Sequence, residues 1–369
     1  MVAEIRTGGP IRVLVADDSA FMRTAITRML ESDPHLKVVA EAHDGKDALA
    51  KIAQFDPDVV ALDIEMPILD GLSVLRALME TNPKPVIMLS SLTQDGAEST
   101  LTALELGAFD CLAKTRSFAT LDILQIKNDL IATVKAAANS TPIRTRSAPS
   151  RSRVPAMRAV RRHLTNTGML PRIIAMGAST GGPRALQEIL PCLPADLPAG
   201  IVIVQHMPKG FTGPFARRLN DICEIEICEA VDGQSVKIGC ALLAPASWHL
   251  TLFQRTASQY AVHLSKTPSD TAHIPCVDVM MLSVAEVCGS NATGVILTGM
   301  GSDGAAGMKA IAGRGGHTLG QDEATCAVYG MPRACAEMGI LDRVLPLSSI
   351  ADEIIHSACG AREASRPVA

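Results

Sequence analysis

The sequence predicts an α/β protein built as two doubly wound, mostly parallel units joined by a linker. Three observations predict it. At 369 residues the chain is long enough for about two domains of ordinary size. Short apolar, β-branched runs alternate with helical patterns on both sides of the middle, the rhythm of a parallel sheet covered by helices. Between Asp129 and Glu188 no acidic residue occurs, and this gap holds a Ser/Pro/Arg-rich stretch without apolar periodicity. Such a stretch buries too little surface to offset the entropy of ordering. It is read as a linker over residues 138–169, a tether or a basic strip that docks on an acidic partner.

Composition narrows the function. Hydrophobic residues make up 47% and charged residues 20%, ordinary values for a globular chain. A net charge of −4 and only 3% aromatics leave neither a basic field nor stacking platforms, so nucleic acid is not an expected partner. No apolar run approaches the roughly 20 residues of a spanning helix, so direct membrane insertion is not expected. Met1 to Pro10 carries Glu4 and lacks a hydrophobic core, unlike a signal peptide. The ten cysteines contain no Cys-x-x-Cys pair, which suits reduced thiols in the cytoplasm.

In the first unit, Ile11–Ala16 reads as a buried strand followed by a helix through Met22, Ile26 and Leu30. Further strands are expected at Val59–Leu62, at Val86–Leu89 and around Phe109–Leu112. Helices are expected from near Gly45, Gly71 and Gly96, and over Thr120 to Ala137. Parallel strands end on one edge, where ligands bind. Asp17 and Asp18 follow the first strand, Asp63 the third, Ser90 the fourth and Lys114 the fifth. Clustered carboxylates repel one another unless a cation sits among them, and an all-oxygen set suits Mg²⁺. A hydroxyl and an ammonium beside them suit a phosphoryl group on Asp63. Singly, Asp17 and Asp18 also fit helix caps, and Lys114 a solvated surface.

Asp17-Asp18, Asp63 within Asp-Ile-Glu-Met-Pro67, Ser90 and Lys114 resemble a response-regulator receiver domain over residues 10–137. That resemblance implies a flavodoxin-like (βα)5 fold. It also implies phosphorylation of Asp63 by a histidine kinase, Mg²⁺ held by Asp17, Asp18 and Asp63, and Ser90 and Lys114 as the switch pair. Two residues depart from the family. Thr115 follows Lys114 where Pro is usual, and Cys111 stands where many receivers carry an aromatic switch residue.

In the second unit, the strand Arg172–Met176 runs into Gly177-Ala-Ser179-Thr-Gly-Gly and a helical pattern. This places Ser179 on a small-residue turn at a helix N-terminus. The turn fits a nucleophile elbow and also a phosphate-cradling loop. Ile201–Val204 ends in Gln205-His206, and Val295–Thr298 runs into Gly299-Met-Gly-Ser-Asp303-Gly. Serine, histidine and aspartate at three strand ends are the parts of an acyl-transfer triad: nucleophile, base and orienting acid. Asp303 alone fits a helix cap, and His249, His273 and Asp278 are rival partners on sequence alone. The order Ser, His, Asp differs from that of α/β-hydrolases.

Gly-Ala-Ser179-Thr-Gly-Gly, Gln-His206-Met-Pro, Ala244-Pro-Ala-Ser-Trp-His249, Leu-Thr-Gly-Met300-Gly-Ser-Asp303-Gly and the run from Gln321 to Pro332 resemble the catalytic domain of chemotaxis protein-glutamate methylesterases, over residues 170–357. The resemblance implies a triad of Ser179, His206 and Asp303, with Thr180 and the Met300 N–H near the developing oxyanion. It implies hydrolysis of glutamate methyl esters on chemoreceptors, with deamidation of receptor glutamines in many members and no cofactor for the esterase. It also implies that the unphosphorylated receiver covers the active site and that phosphorylation loosens it. Ile274 departs from the family, which usually has Arg there. A rival reading from another class is a phosphorylation-controlled anion-binding module in which Ser179 does not react.

Overall fold

The computed structural model describes residues 9–91, 94–114, 120–140 and 171–360. The chain divides into two compact units at Arg146/Ser147. The linker from 141 onward and Thr115 lie outside the described residues.

The first unit alternates β1 (Ile11–Ala16), α1 (Ala20–Glu31), β2 (Leu36–Ala42), α2 (Gly45–Phe55), β3 (Val59–Asp63), α3 (Gly71–Thr81), β4 (Val86–Ser91), α4 (Gln94–Glu105), β5 (Asp110–Lys114) and α5 (Thr120–Asn139). All neighbouring strands are parallel, in the order β2-β1-β3-β4-β5. The central strands are buried on both faces: every residue of β3 is buried, and Leu14, Val60, Leu62 and Met88 build the core with Val74 and Leu75 of α3. Helix starts are written in the sequence. Asp44 caps α2 by accepting from the Lys46 and Asp47 N–H groups (2.8 and 2.9 Å), and Asp70 caps α3 from Ser73 (2.7 Å). Gly71 opens α3 against the end of β3, where a Cβ would stand 2.0 Å from the Asp63 carbonyl oxygen. Only glycine lets that turn fold back beside Asp63.

Two sequence expectations shift here. β2, Leu-Lys-Val-Val-Ala-Glu-Ala, was not located by apolar pattern because it is a sheet edge whose middle residues are only partly buried. α5 continues to Asn139, two residues beyond its expected end at Ala137 and into the linker expected from 138.

The second unit holds a seven-stranded sheet in the order β14-β13-β12-β6-β7-β9-β8. Its strands are β6 (Arg172–Ala178), β7 (Ala199–Gln205), β8 (Glu226–Glu229), β9 (Cys240–Leu243), β12 (Ala292–Ile296), β13 (His317–Gln321) and β14 (Arg343–Leu345), and every pairing is parallel. Its helices are α6 (Gly182–Ile189), α7 (Thr212–Ile222), α8 (Val277–Cys288), α9 (Ala305–Gly313), α10 (Met331–Glu337) and α11 (Leu347–Ala358). An antiparallel hairpin, β10 (His249–Thr256) and β11 (Gln259–Ser265), stands apart from the sheet. It buries Leu250, Leu252, Tyr260 and Val262 against Val277, Met280, Met281 and Val284 of α8. The sequence pattern picked out three of the seven strands, and the hairpin was not foreseen.

Chain order reverses between β6 and β12. From β6 the chain moves outward to β7, and it returns after α8 to β12 on the other side. That switch point opens a crevice at the carboxyl ends of both strands, the usual place for a ligand in such a sheet.

Candidate active site and phosphoryl-acceptor edge

Ser179 leaves the end of β6 into the switch-point crevice. Its N–H donates to the Thr298 carbonyl (3.0 Å), and its own carbonyl accepts from Gly182 N–H (2.8 Å), closing the turn into α6. Gly181 holds φ +76°, a conformation that strains any side chain. The buried Gln205 amide then ties two turns together, because its Nε2 donates to both Ser179 O and His206 O at 2.9 Å. The His206 N–H donates in turn to Ala178 O (3.0 Å). The serine turn and the histidine turn are therefore one hydrogen-bonded unit. Gln205 was quoted in the sequence motif without a role; its only signal is an amide at the buried end of a strand.

The His206 Nε2 lies 2.9 Å from Asp303 Oδ2. Asp303 also accepts from the backbone N–H of Val277 (2.8 Å, Oδ2), the N–H of Asp278 (2.9 Å, Oδ1) and the Cys276 thiol (3.0 Å, Oδ1). Burial pushes this carboxyl up. Hydrogen bonds from His206, the two backbone groups and the thiol outweigh burial and hold it well below the ordinary carboxylate range. An ionised Asp303 accepts only, so the proton in the bond is on Nε2, and Nδ1 is left as the basic nitrogen. Among the described residues Nδ1 is buried without a hydrogen-bond partner.

The rival groups are occupied otherwise. His249 is fully buried; its Nδ1 accepts from Cys276 N–H (3.2 Å) and its Nε2 stands 2.8 Å from Pro268 O. Asp278 accepts from Gly307 N–H (2.7 Å) in the first turn of α9. His273 stacks on the His206 ring, with centroids 4.2 Å apart and planes inclined at 26°. Desolvation by burial and the neighbouring His206 lower the His273 pKa. Ile274 lends its carbonyl to the Ser247 N–H (3.1 Å).

Thr180 is buried beside the serine, its carbonyl accepting from Thr298 Oγ1 (2.9 Å). Met300 follows Gly299, which is fixed on both sides. Gly299 N–H donates to Val328 O (3.0 Å), and its carbonyl accepts from Gly330 (3.1 Å) and Met331 (2.9 Å). A Cβ on Gly299 would stand 2.8 Å from the Ser179 Cβ, so the Met300 loop and the serine meet at closest backbone approach.

In the first unit, ligand oxygens of Asp17, Asp18 and Asp63 all lie within 4.8 Å of one another, with Asp18 exposed and the other two buried. Lys114 Nζ stands 2.6 Å from Asp17 Oδ2 and 2.7 Å from Asp63 Oδ2. Burial raises the Asp63 carboxyl to about 6, against the pull of Lys114 and with a further push from Asp17. Three carboxylates converging with one ammonium form an all-oxygen, partly open donor set, which fits Mg²⁺. The Ser90 hydroxyl donates to Gly96 O (3.1 Å), spanning β4 and α4. Cys111 reaches into the same unit, its thiol 3.7 Å from Thr100 O.

The comparisons with known proteins agree with both halves. The response regulator receiver domain model matches residues 13–124, and the CheB methylesterase model matches residues 174–354. A protein-glutamate methylesterase/protein-glutamine glutaminase of Symbiobacterium thermophilum is 47% identical over 359 residues, covering 95% of this chain and 98% of that protein. The chain belongs to this family. Relatives of the same name from Nitratidesulfovibrio vulgaris (45% identical, 94% of this chain and 99% of that protein) and Pyrococcus abyssi (42% identical, 95% and 94%) show the same two-part coverage. The chain is thus a receiver-controlled methylesterase of the two-component chemotaxis class, and chemoreceptor substrates and a kinase phosphodonor follow in general terms. No helix among the described residues is long and apolar enough to cross a membrane.

Proposed function

We propose that this chain hydrolyses glutamate methyl esters on chemoreceptors by a Ser179–His206–Asp303 relay, and deamidates specific receptor glutamines at the same site. The observation that carries the reading is the clamped, ionised Asp303 on His206 Nε2, which leaves Nδ1 basic and without a partner. Nδ1 takes the Ser179 hydroxyl proton as Oγ attacks the ester carbonyl. The oxyanion forms beside the Met300 N–H and Thr180. As the tetrahedral adduct collapses, the C–O bond to the methoxy group breaks, and His206 returns the proton so that methanol leaves. Water then loses a proton to His206 and attacks the acyl-enzyme, and the glutamate carboxylate and free Ser179 are restored. With a glutamine substrate, the same returned proton releases ammonia. Asp303 stays ionised throughout and stabilises the imidazolium.

Asp63 is the proposed phosphoryl acceptor from a histidine kinase of the chemotaxis type. Mg²⁺ held by Asp17, Asp18 and Asp63 would neutralise the incoming phosphoryl oxygens. Lys114 pairs with the acceptor carboxylate, and Ser90 exchanges its Gly96 contact for the phosphoryl group. The ten free cysteines support a cytoplasmic setting.

The test is methanol release from a methylated receptor cytoplasmic fragment, with and without a small-molecule phosphodonor and Mg²⁺. Release stimulated by phosphodonor, lost in Ser179→Ala and unstimulated in Asp63→Asn, is expected. Ser179→Ala that retains turnover would sink the mechanism.

A further inference from the structure

Among the described residues the Asp303 carboxylate receives one side-chain donor besides His206, and that donor is a thiol. Cys276 immediately precedes α8, and its Sγ lies 3.0 Å from Asp303 Oδ1. The two N–H groups that follow, on Val277 and Asp278, also close on the carboxylate. The backbone of Cys276 is pinned separately: its N–H donates to Nδ1 of the buried His249, whose other nitrogen holds Pro268 O. The thiol therefore has little freedom to leave Asp303. It is only 6% exposed, and burial together with the Asp303 charge pushes it up to about 12. It is a proton donor, not a thiolate.

We propose that Cys276 is a positioning residue for the esterase reaction. Its S–H occupies Oδ1 so that Oδ2 stays aligned on His206 Nε2. The inference rests on the triad reading above. Without the thiol, Oδ1 keeps a single donor, the Asp278 N–H. The carboxylate is then less satisfied and freer to turn away from Nε2, and the loosened pair lowers kcat. A serine at 276 supplies a stronger donor from nearly the same place and has none of these effects.

The experiment uses the full-length chain and methanol release from a methylated receptor fragment, measured across the pH range in which histidine titrates. Wild type is compared with Cys276→Ala, Cys276→Ser and Asp303→Asn. Cys276→Ala is expected to lose about three- to tenfold in kcat with KM unchanged, the size of one ordinary hydrogen bond, as suits a weak thiol donor. Cys276→Ser returns kcat to the wild-type value. Thermal unfolding monitors folding in parallel. A Cys276→Ala profile identical to wild type overturns the proposal, whatever its melting temperature. Cys276→Ser as impaired as Cys276→Ala also overturns it, because side-chain shape would then be responsible. Asp303→Asn separates the two levels. If it keeps wild-type turnover, the triad reading fails; if it is inactive while Cys276→Ala is unaffected, only the role of Cys276 fails.

Discussion

Replacing Asp303 by asparagine removes one charge from a site where every carboxylate lone pair has an assigned donor. Oδ1 serves Cys276 and Asp278, and Oδ2 serves His206 and Val277. An amide offers an oxygen to one pair and an NH₂ to the other, so at least one buried backbone N–H loses its acceptor in either orientation. An orphaned buried donor costs about 1–3 kcal/mol. In a unit of this size about 1 kcal/mol moves the melting temperature by roughly 2–4 °C, so a fall of about 2–12 °C is expected. If the NH₂ faces His206, the ring must present a lone pair at Nε2, and its proton moves to Nδ1. The base is then in the wrong tautomer, which in a serine triad costs about four orders of magnitude in kcat. Methanol release and calorimetry on the same preparation measure both effects. The stability deficit also has a pH signature. Asp303 is held below the ordinary carboxylate range, so its contribution is complete above about pH 4 and is lost as pH falls toward its folded pKa. The gap between wild type and Asp303→Asn therefore narrows below about pH 4. A variant within tenfold of wild-type turnover, or a gap that stays constant with acidification, would refute the reasoning.

Gly182→Ala places a Cβ 2.0 Å from Gln205 Oε1, so the amide that joins the serine and histidine turns is displaced. We expect at least a tenfold loss of kcat, with the first unit's phosphorylation unchanged when read by phosphate incorporation. Gly71→Ala drives a Cβ into the Asp63 carbonyl at 2.0 Å; phosphorylation should fall while Ser179 still reacts with an active-site serine reagent. Removing residues 1–140 is expected to give esterase activity that no longer responds to phosphodonor, and unchanged basal activity would count against receiver inhibition. Trp248, the one tryptophan, is 40% exposed on the loop after β9, beside the strand that delivers His206. Its fluorescence should shift on adding a receptor fragment to Ser179→Ala, and an unchanged spectrum would place the substrate elsewhere.

The residue types and their positions at strand ends were legible without coordinates. Buried parallel strands are continuous apolar runs, so β1, β3, β4, β6 and β7 announced themselves, and the polar residue that breaks each run falls on the ligand-binding edge. That is why Asp17, Asp63, Ser179 and His206 stood out. β2 did not, because an edge strand with a partly exposed middle lacks a continuous run. The β10–β11 hairpin hid for a different reason: its inward residues pack on α8, far along the chain, and nothing local reports that partner.

Composition and spacing by themselves determined the two α/β units, the acid cluster, the glycine turn and the residue classes of a hydrolase. Strand-end position favoured His206 but left His249 and His273 as rivals, because a histidine's role depends on what each ring nitrogen meets. Tertiary structure gives the three different surroundings. His249 is saturated by backbone and His273 stacks from outside, while His206 faces a carboxylate and keeps one nitrogen without a partner. It also brought a cysteine and two backbone N–H groups from the start of α8 onto Asp303, about 26 residues away in the chain. Those donors set the charge state of the acid, and no local pattern encodes them, because the contact forms only when β12 returns to the far side of β6.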